Sequence, residues 1–128
     1  IRDSPSSGTW YQVTDQGARE GNYLESSATA LFIYTLAKAI NKGYIGNEYI
    51  EPTQKAFDGM VKTFTRLEED GSYTITNCCA VAGLGGDSKR YRDGSFEYYI
   101  SEPIIENDPK SVGSFILAAI EYEKMTKK

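Results

Sequence analysis

A chain of 128 residues with 40% hydrophobic and 25% charged side chains has the size and composition of one globular domain. A net charge of −4 argues against a nucleic-acid partner, and no apolar run is long enough to span a bilayer, so no membrane partner is expected. Histidine is absent, which excludes Ser–His and Cys–His nucleophile pairs within the chain and leaves only cysteines and carboxylates for a zinc site; no metal and no cofactor are expected.

Ile1 opens no signal peptide, and IRDSPSSG reads as a place where a longer chain was cut or where an order boundary falls; a fragment is expected. The expected setting is soluble, cytoplasmic or periplasmic. Residues 9–13, TWYQV, suggest a short extended piece, followed by a polar loop punctuated by glycine over residues 14–21. Trp10 is either a core plug or a platform that stacks on a sugar ring.

Residues 23–41 predict a helix. Asn22 with Glu25 three residues on reads as an N-cap and capping box, and Lys38, Lys42 and Gly43 suit a C-terminus. Leu24, Ala28, Leu31 and Phe32 fall on one side of it and Ile33, Ala37 and Ile40 on the other. A helix that is apolar all round is a buried one. Its polar residues, Glu25, Ser26, Ser27 and Thr29, gather in the first two turns, as in a helix whose N-terminus opens into a binding cavity.

A second helix starts near Asn47 or Glu51, tolerates Pro52 in its first turn and runs to about Glu69. Ala56, Phe57, Met60, Val61, Phe64 and Leu67 make a single stripe, so this helix is amphipathic and lies antiparallel on the first. From Ser72 to Asn107 no helical period is evident. SYTIT (72–76) and EYYIS (97–101) read as short strands and AVAGLGG (80–86) as a glycine-rich turn, without the Gly-Lys-Ser/Thr of a phosphate loop. An excursion of that length in a compact domain is usually functional, and its tyrosines argue against disorder. Cys78 and Cys79 are neighbours; a disulfide between them closes a strained ring, so two reduced, buried thiols are expected.

A third helix begins with Asp108 as N-cap and Pro109 as its first residue and continues to about Met125. It repeats the character of the first: apolar on nearly all sides through Val112, Phe115, Ile116, Leu117 and Ile120, with Ser111, Gly113 and Ser114 in the first turns. Buried, surface, buried implies that the two buried helices run parallel, with both N-termini and both long loops on one face. That is the layout of a toroid of helical hairpins rather than of a three-helix bundle, in which every helix has a polar face.

GTWYQVTDQG (8–17), NYLESSATALFIYTLAKAINKGY (22–44), AGLGG (82–86) and RDGSFEYYISEPIIENDPKSVGSFILAAIEYE (92–123) together resemble the C-terminal part of unsaturated rhamnogalacturonyl hydrolases, family 105 of the glycoside hydrolases, related to the unsaturated glucuronyl hydrolases of family 88. The resemblance implies an all-α fold with short strands in a long loop. Residues 1–128 would be the C-terminal portion of one (α/α)6-barrel catalytic domain, roughly its last third. It further implies hydrolysis of the unsaturated uronic acid that polysaccharide lyases leave at an oligosaccharide end, of rhamnogalacturonan or pectin type. In that family an Asp protonates the C4–C5 double bond while water adds at C5. That Asp and its histidine and arginine partners match nothing in these residues, so the chain alone would be inactive.

The carboxylates Glu25, Asp93, Glu97, Glu102 and Asp108 are the remaining acid–base candidates. Glu25 is a capping residue, a cavity-facing group, or both; Asp108 is a cap. Arg92-Asp93-Gly94 is a rim turn contacting an acidic sugar or a solvated turn, with the Arg92 fork suited to a carboxylate. Tyr98 and Tyr99 in a strand would point to opposite sides. The substrate-binding set expected at the common face is Trp10, Glu25, Arg92 and Gly113, with the oligosaccharide as partner. Another sugar-active toroid, epimerase-like, and a non-catalytic helical binding domain are the alternatives. With two inner helices open on their flanks, self-association or packing on the rest of a barrel is expected through Phe32, Ile33, Ile40, Phe115, Ile116 and Ile120.

Overall fold

The computed structural model describes residues 7–87 and 91–127. Of the IRDSPSSG start, residues 1–6 lie outside the described residues. Helix α1 spans Ser26–Lys42 and α2 spans Ile50–Phe64, with a 3₁₀ turn over Asn47–Tyr49 between them. Strands β1 (Thr65–Leu67) and β2 (Tyr73–Ile75) form one antiparallel pair. β3 (Cys78–Cys79) and β4 (Ile104–Ile105) form another, with the short helix α3 (Phe96–Ser101) between them in sequence. Helix α4 spans Pro109–Thr126.

The helix ends follow their residues. Gly43 stops α1 in the left-handed conformation (φ 70°), and its N–H returns to the Ala39 and Ile40 carbonyls. Asp108 caps α4 by accepting from the Lys110 N–H at 2.8 Å, with Pro109 just inside. At the start of α1 the expectation is corrected. The N-cap is Glu25, whose carboxylate accepts from the Ala28 N–H, and residues 23–24 are extended rather than helical. Asn22 instead stitches the preceding loop to itself, accepting from the Val13 N–H and donating to the Val13 and Gln16 carbonyls. An Asn side chain satisfying loop backbone is unavailable for capping.

Side-chain contacts fix the helix directions. Near the start of α1, Glu25 accepts from the Cys79 N–H, and beyond Cys79 the Ala80 carbonyl accepts from Lys110 in the first turn of α4. Near their other ends, Asn41 donates to the Glu121 carbonyl. α1 and α4 are therefore parallel and share an N-terminal end. α2 runs against both: its C-terminal Phe64 carbonyl accepts from the Thr76 N–H beside that end, while Phe57 stacks on Tyr122 near the end of α4 at 3.8 Å between ring centres. The core between the three consists of Trp10, Ala30, Ile33, Ala56, Met60, Phe64, Phe115 and Ala118.

Two further assignments change. α2 ends at Phe64 instead of near Glu69, because Thr65–Leu67 pairs with Tyr73–Ile75 in a hairpin. Its turn is closed by the Gly71 N–H on the Glu68 carbonyl, by Asp70 accepting from the Ser72 N–H, and by Gly71 at φ 84°. Residues 97–101 are helical, not a strand: the Ser95 hydroxyl accepts from the Tyr98 N–H and starts α3. Tyr98 and Tyr99 consequently lie side by side, ring centres 5.0 Å apart, instead of on opposite faces.

The N-terminal segment crosses α2 at Gly59, where an added Cβ would sit 1.6 Å from the Ser7 carbonyl oxygen. Gly59→Ala is therefore expected to lower stability by about 2 kcal/mol or more, although alanine is otherwise worth roughly 1 kcal/mol over glycine inside a helix. Urea unfolding of the two proteins checks the sign.

Candidate functional site at the shared helix end

The N-terminal end shared by α1 and α4 is assembled around Glu25, which is 2% exposed. One carboxylate oxygen accepts from the Ala28 N–H at 2.7 Å; the other accepts from the Cys79 N–H at 3.0 Å and the Ser27 hydroxyl at 2.9 Å. Its own N–H donates to the Trp10 carbonyl at 3.0 Å, and the Trp10 N–H donates to the Thr29 hydroxyl at 3.1 Å. Glu25 thus joins the N-terminal segment, the first turn of α1 and β3. A lone carboxylate among backbone donors at a helix start is electrostatically well placed.

β3 carries this connection across to α4. Cys78 and Cys79 pair with Ile105 and Ile104, the Ala80 N–H donates to the Pro103 carbonyl, and Lys110 reaches the Ala80 carbonyl at 3.0 Å. Both thiols are free and buried, as their adjacency suggested. Burial, then the Glu25 charge, pushes the Cys78 thiol above its ordinary range, so it is a packing group rather than a nucleophile. Gln12 donates to Cys79 Sγ at 3.3 Å.

Three buried polar atoms at this end have no hydrogen-bond partner among the described residues: Trp10 Nε1, the Tyr23 hydroxyl and Ser26 Oγ. Tyr23 lies beside Cys79 without a hydrogen bond of normal geometry. Burial, followed by the neighbouring Cys79 and Glu25, holds its phenol well above the ordinary range, as a neutral donor. Each such group costs about 1–3 kcal/mol when left unpaired, and native proteins retain few of them. Here three belong to the segments that meet at Glu25. Sequence reasoning passed over Tyr23, whose only signal was proximity to Glu25; Ser26 was noted only as one of the polar residues in the first turns of α1.

The four expected substrate-facing residues lie in the same end of the molecule but in different settings. Trp10 is 4% exposed and packs edge-on against Phe32, ring centres 5.2 Å apart, so in this chain it is part of the core and only its indole N–H is left to serve a ligand. Gly113 is exposed in the second turn of α4, with nothing within 4 Å of where a Cβ would stand. Arg92 sits in the loop layer above. It exchanges backbone hydrogen bonds with Gly85 at 2.8 and 2.9 Å, and its Nε lies 3.6 Å from a buried carboxylate, Glu102.

The remaining carboxylates are occupied structurally. Asp93 accepts from the Ser95 N–H and Asp108 caps α4; the Ser95 side chain and then its N–H hold Asp93 below the ordinary range, and the Lys110 ammonium and then its N–H do the same for Asp108. Glu97 is exposed and pairs with Arg19, whose guanidinium also covers the Phe96 ring at 3.9 Å. Among the described residues no three His, Cys, Asp or Glu side chains are placed to hold a metal ion, and no helix is long and apolar enough to cross a membrane. A surface hollow of about 600 Å³ lined by Lys38, Asn41, Lys42, Glu121, Lys124 and Lys127 lies at the C-terminal ends of α1 and α4. It is separated from Glu25 by the length of α1, about 25 Å for its 17 residues.

This architecture recurs in known proteins. A glycoside hydrolase of family 105 from Clostridium acetobutylicum superposes with a TM-score of 0.91 at 45% identity, over 94% of this chain and 33% of that one. A possible family 105 member from Salmonella enterica superposes with a TM-score of 0.73 at 25% identity, over 98% of this chain and 28% of that one. Protein Atu3128 of Agrobacterium fabrum and a 24.9 kDa protein in the picA locus of Rhizobium radiobacter are each 37% identical over 125 residues, 94% of this chain. The chain spans 54% of the length of those two relatives. Its helix-rich architecture, with few short strands, resembles part of the (α/α)6 barrel of the family 105 enzymes. The model of glycosyl hydrolase family 88 matches residues 2–126, and the chain belongs to that family.

Proposed function

We propose that the complete gene product is a glycoside hydrolase that removes the unsaturated uronic acid from the end of a lyase-generated oligosaccharide of rhamnogalacturonan or pectin type. The observation that carries this reading is the set of unpartnered buried polar atoms, Trp10 Nε1, Tyr23 Oη and Ser26 Oγ, on the segments that meet at a fixed carboxylate at the shared helix end. Hydroxyl-rich ligands satisfy such groups. In this reading a proton is delivered to C4 of the C4–C5 double bond while water adds at C5. The resulting C5 hemiketal opens to a ketone, and the exposed hemiacetal at C1 releases the saturated sugar as its alcohol; one water is consumed per bond cleaved.

This chain supplies the substrate-facing rim: Trp10 through its indole N–H, Glu25 through the segments it locks together, Arg92 through its charge, and Gly113 through the space it leaves. The acid–base carboxylate comes from outside these 128 residues, and the isolated chain does not turn over substrate. Membership of a hydrolase family supports this over an epimerase-like toroid or a binding domain. Mass spectrometry tests it: the complete protein should convert an unsaturated disaccharide into a 4-deoxy-5-keto-uronate and a saturated sugar. A product of unchanged mass would indicate epimerisation and overturn the reading.

Gly113 gives a separable check. Because its Cβ position is empty in this chain, Gly113→Ala should raise intrinsic stability by about 1 kcal/mol through helix propensity. In the complete protein the same methyl is expected to raise KM severalfold, since it enters space reserved for the ligand. Unchanged KM would remove Gly113 from the site.

A further inference from the structure

Glu102 is 2% exposed, and a carboxylate so buried needs partners to offset its desolvation. One is Tyr98, whose hydroxyl lies beside Glu102 and accepts from the Gly83 N–H at 3.1 Å. Another is Arg92, which approaches Glu102 Oε1 with Nε at 3.6 Å, an ion-pair distance longer than a hydrogen bond. The Arg92 backbone is clamped to Gly85 by two reciprocal hydrogen bonds, so the main chain is held, while Nε is buried at ion-pair distance from Glu102 without a hydrogen bond to a described residue. Its side chain remains 30% exposed, and neither Nη makes a hydrogen bond to a described residue.

A guanidinium anchored through its backbone and ion-paired at its Nε edge, with its two-nitrogen fork turned to no described partner, leaves that fork for a carboxylate to meet through two parallel hydrogen bonds. We propose that Glu102 is a positioning residue that orients Arg92, and that the Arg92 fork binds a carboxylate of the saccharide, making this pair the chain's determinant of specificity for acidic sugars. The proposal rests on the glycoside hydrolase reading above and deepens it. Glu102 is too buried to meet the sugar, so its effect on the saccharide runs through Arg92.

The test uses the complete gene product with an unsaturated galacturonosyl-rhamnose disaccharide and its methyl ester. Arg92→Ala should raise KM for the acid about tenfold or more, as expected for losing a charge-assisted pair. It should leave kcat within about twofold and KM for the ester unchanged. Glu102→Gln should raise KM for the acid by a smaller factor, again sparing the ester, and Arg92→Lys should not restore the wild-type value, because an ammonium lacks the fork. If Arg92→Ala fails to fold, Arg92→Lys carries the same acid-against-ester comparison. Equal rises in KM for acid and ester overturn the proposal, as does an unchanged KM in both variants. A Glu102→Gln protein with a lowered melting temperature and unchanged KM also overturns it. If the wild type turns over neither compound, the reading of the reaction fails, and calorimetric titration with the same pair then decides the inference: Arg92→Ala loses the acid and keeps the weaker ester affinity if it holds, and absence of acid binding by the wild type overturns it.

Discussion

Glu25→Ala is expected to lower stability by about 2–4 kcal/mol, the sum of a lost helix cap of about 1 kcal/mol and a buried Cys79 N–H left unpaired at about 1–3 kcal/mol. Glu25→Gln differs in kind. Three donors converge on the carboxylate, and an amide offers one accepting oxygen, so glutamine can keep only part of the set. It should cost about 1–2 kcal/mol while lowering turnover in the complete protein more than that loss accounts for, because β3 and the Trp10 segment lose their common anchor. Urea unfolding and steady-state kinetics on the same preparations separate the two effects. An alanine variant within about 0.5 kcal/mol of the wild type would mean the hydrogen bonds around Glu25 do not hold this end together.

A second large effect is expected at the outer faces of α1 and α4. Leu31, Phe32, Ile116, Leu117 and Ile120 are exposed, forming apolar faces on the two parallel helices. Ile33 and Phe115, also expected at this interface, belong instead to the chain's own core, and Ile40 is half-buried. A few hundred Å² of such surface, at about 25 cal/mol per Å², is worth several kcal/mol, comparable with a small domain's whole stability. The 128-residue chain alone is therefore expected to self-associate or bind a hydrophobic dye. Phe32→Gln with Ile116→Gln and Ile120→Gln should reduce that association sharply while the core stays closed. Light scattering decides it: a monodisperse monomer that binds no dye would mean these faces need no covering.

Much of the architecture was legible because caps and apolar periodicity act locally. Asp108-Pro109 and Gly43 specify helix ends by themselves, and the polar first turns of two otherwise apolar helices located the shared end. Where the reading failed, a tertiary partner outweighed the local pattern. Leu67 fits the helical stripe begun by Ala56, yet its segment pairs with Tyr73–Ile75 because the Asp70-Gly71 turn brings that strand back. Tyr98, Tyr99 and Ile100 favour a strand by propensity, but the Ser95 cap and the burial of Phe96 make a helix. Glu102 was visible as one carboxylate among five. Nothing local distinguished it, because its burial depends on Tyr98 and Arg92 closing over it from the neighbouring loop layer.

The most direct measurement of the central claim is the ultraviolet absorbance of the conjugated C4–C5 double bond in an unsaturated uronyl disaccharide mixed with the complete, folded protein. The account predicts that this absorbance decays in step with release of the saturated sugar, and that the corresponding saturated disaccharide is left intact. Cleavage of the saturated disaccharide, or sugar release with the absorbance unchanged, would contradict it.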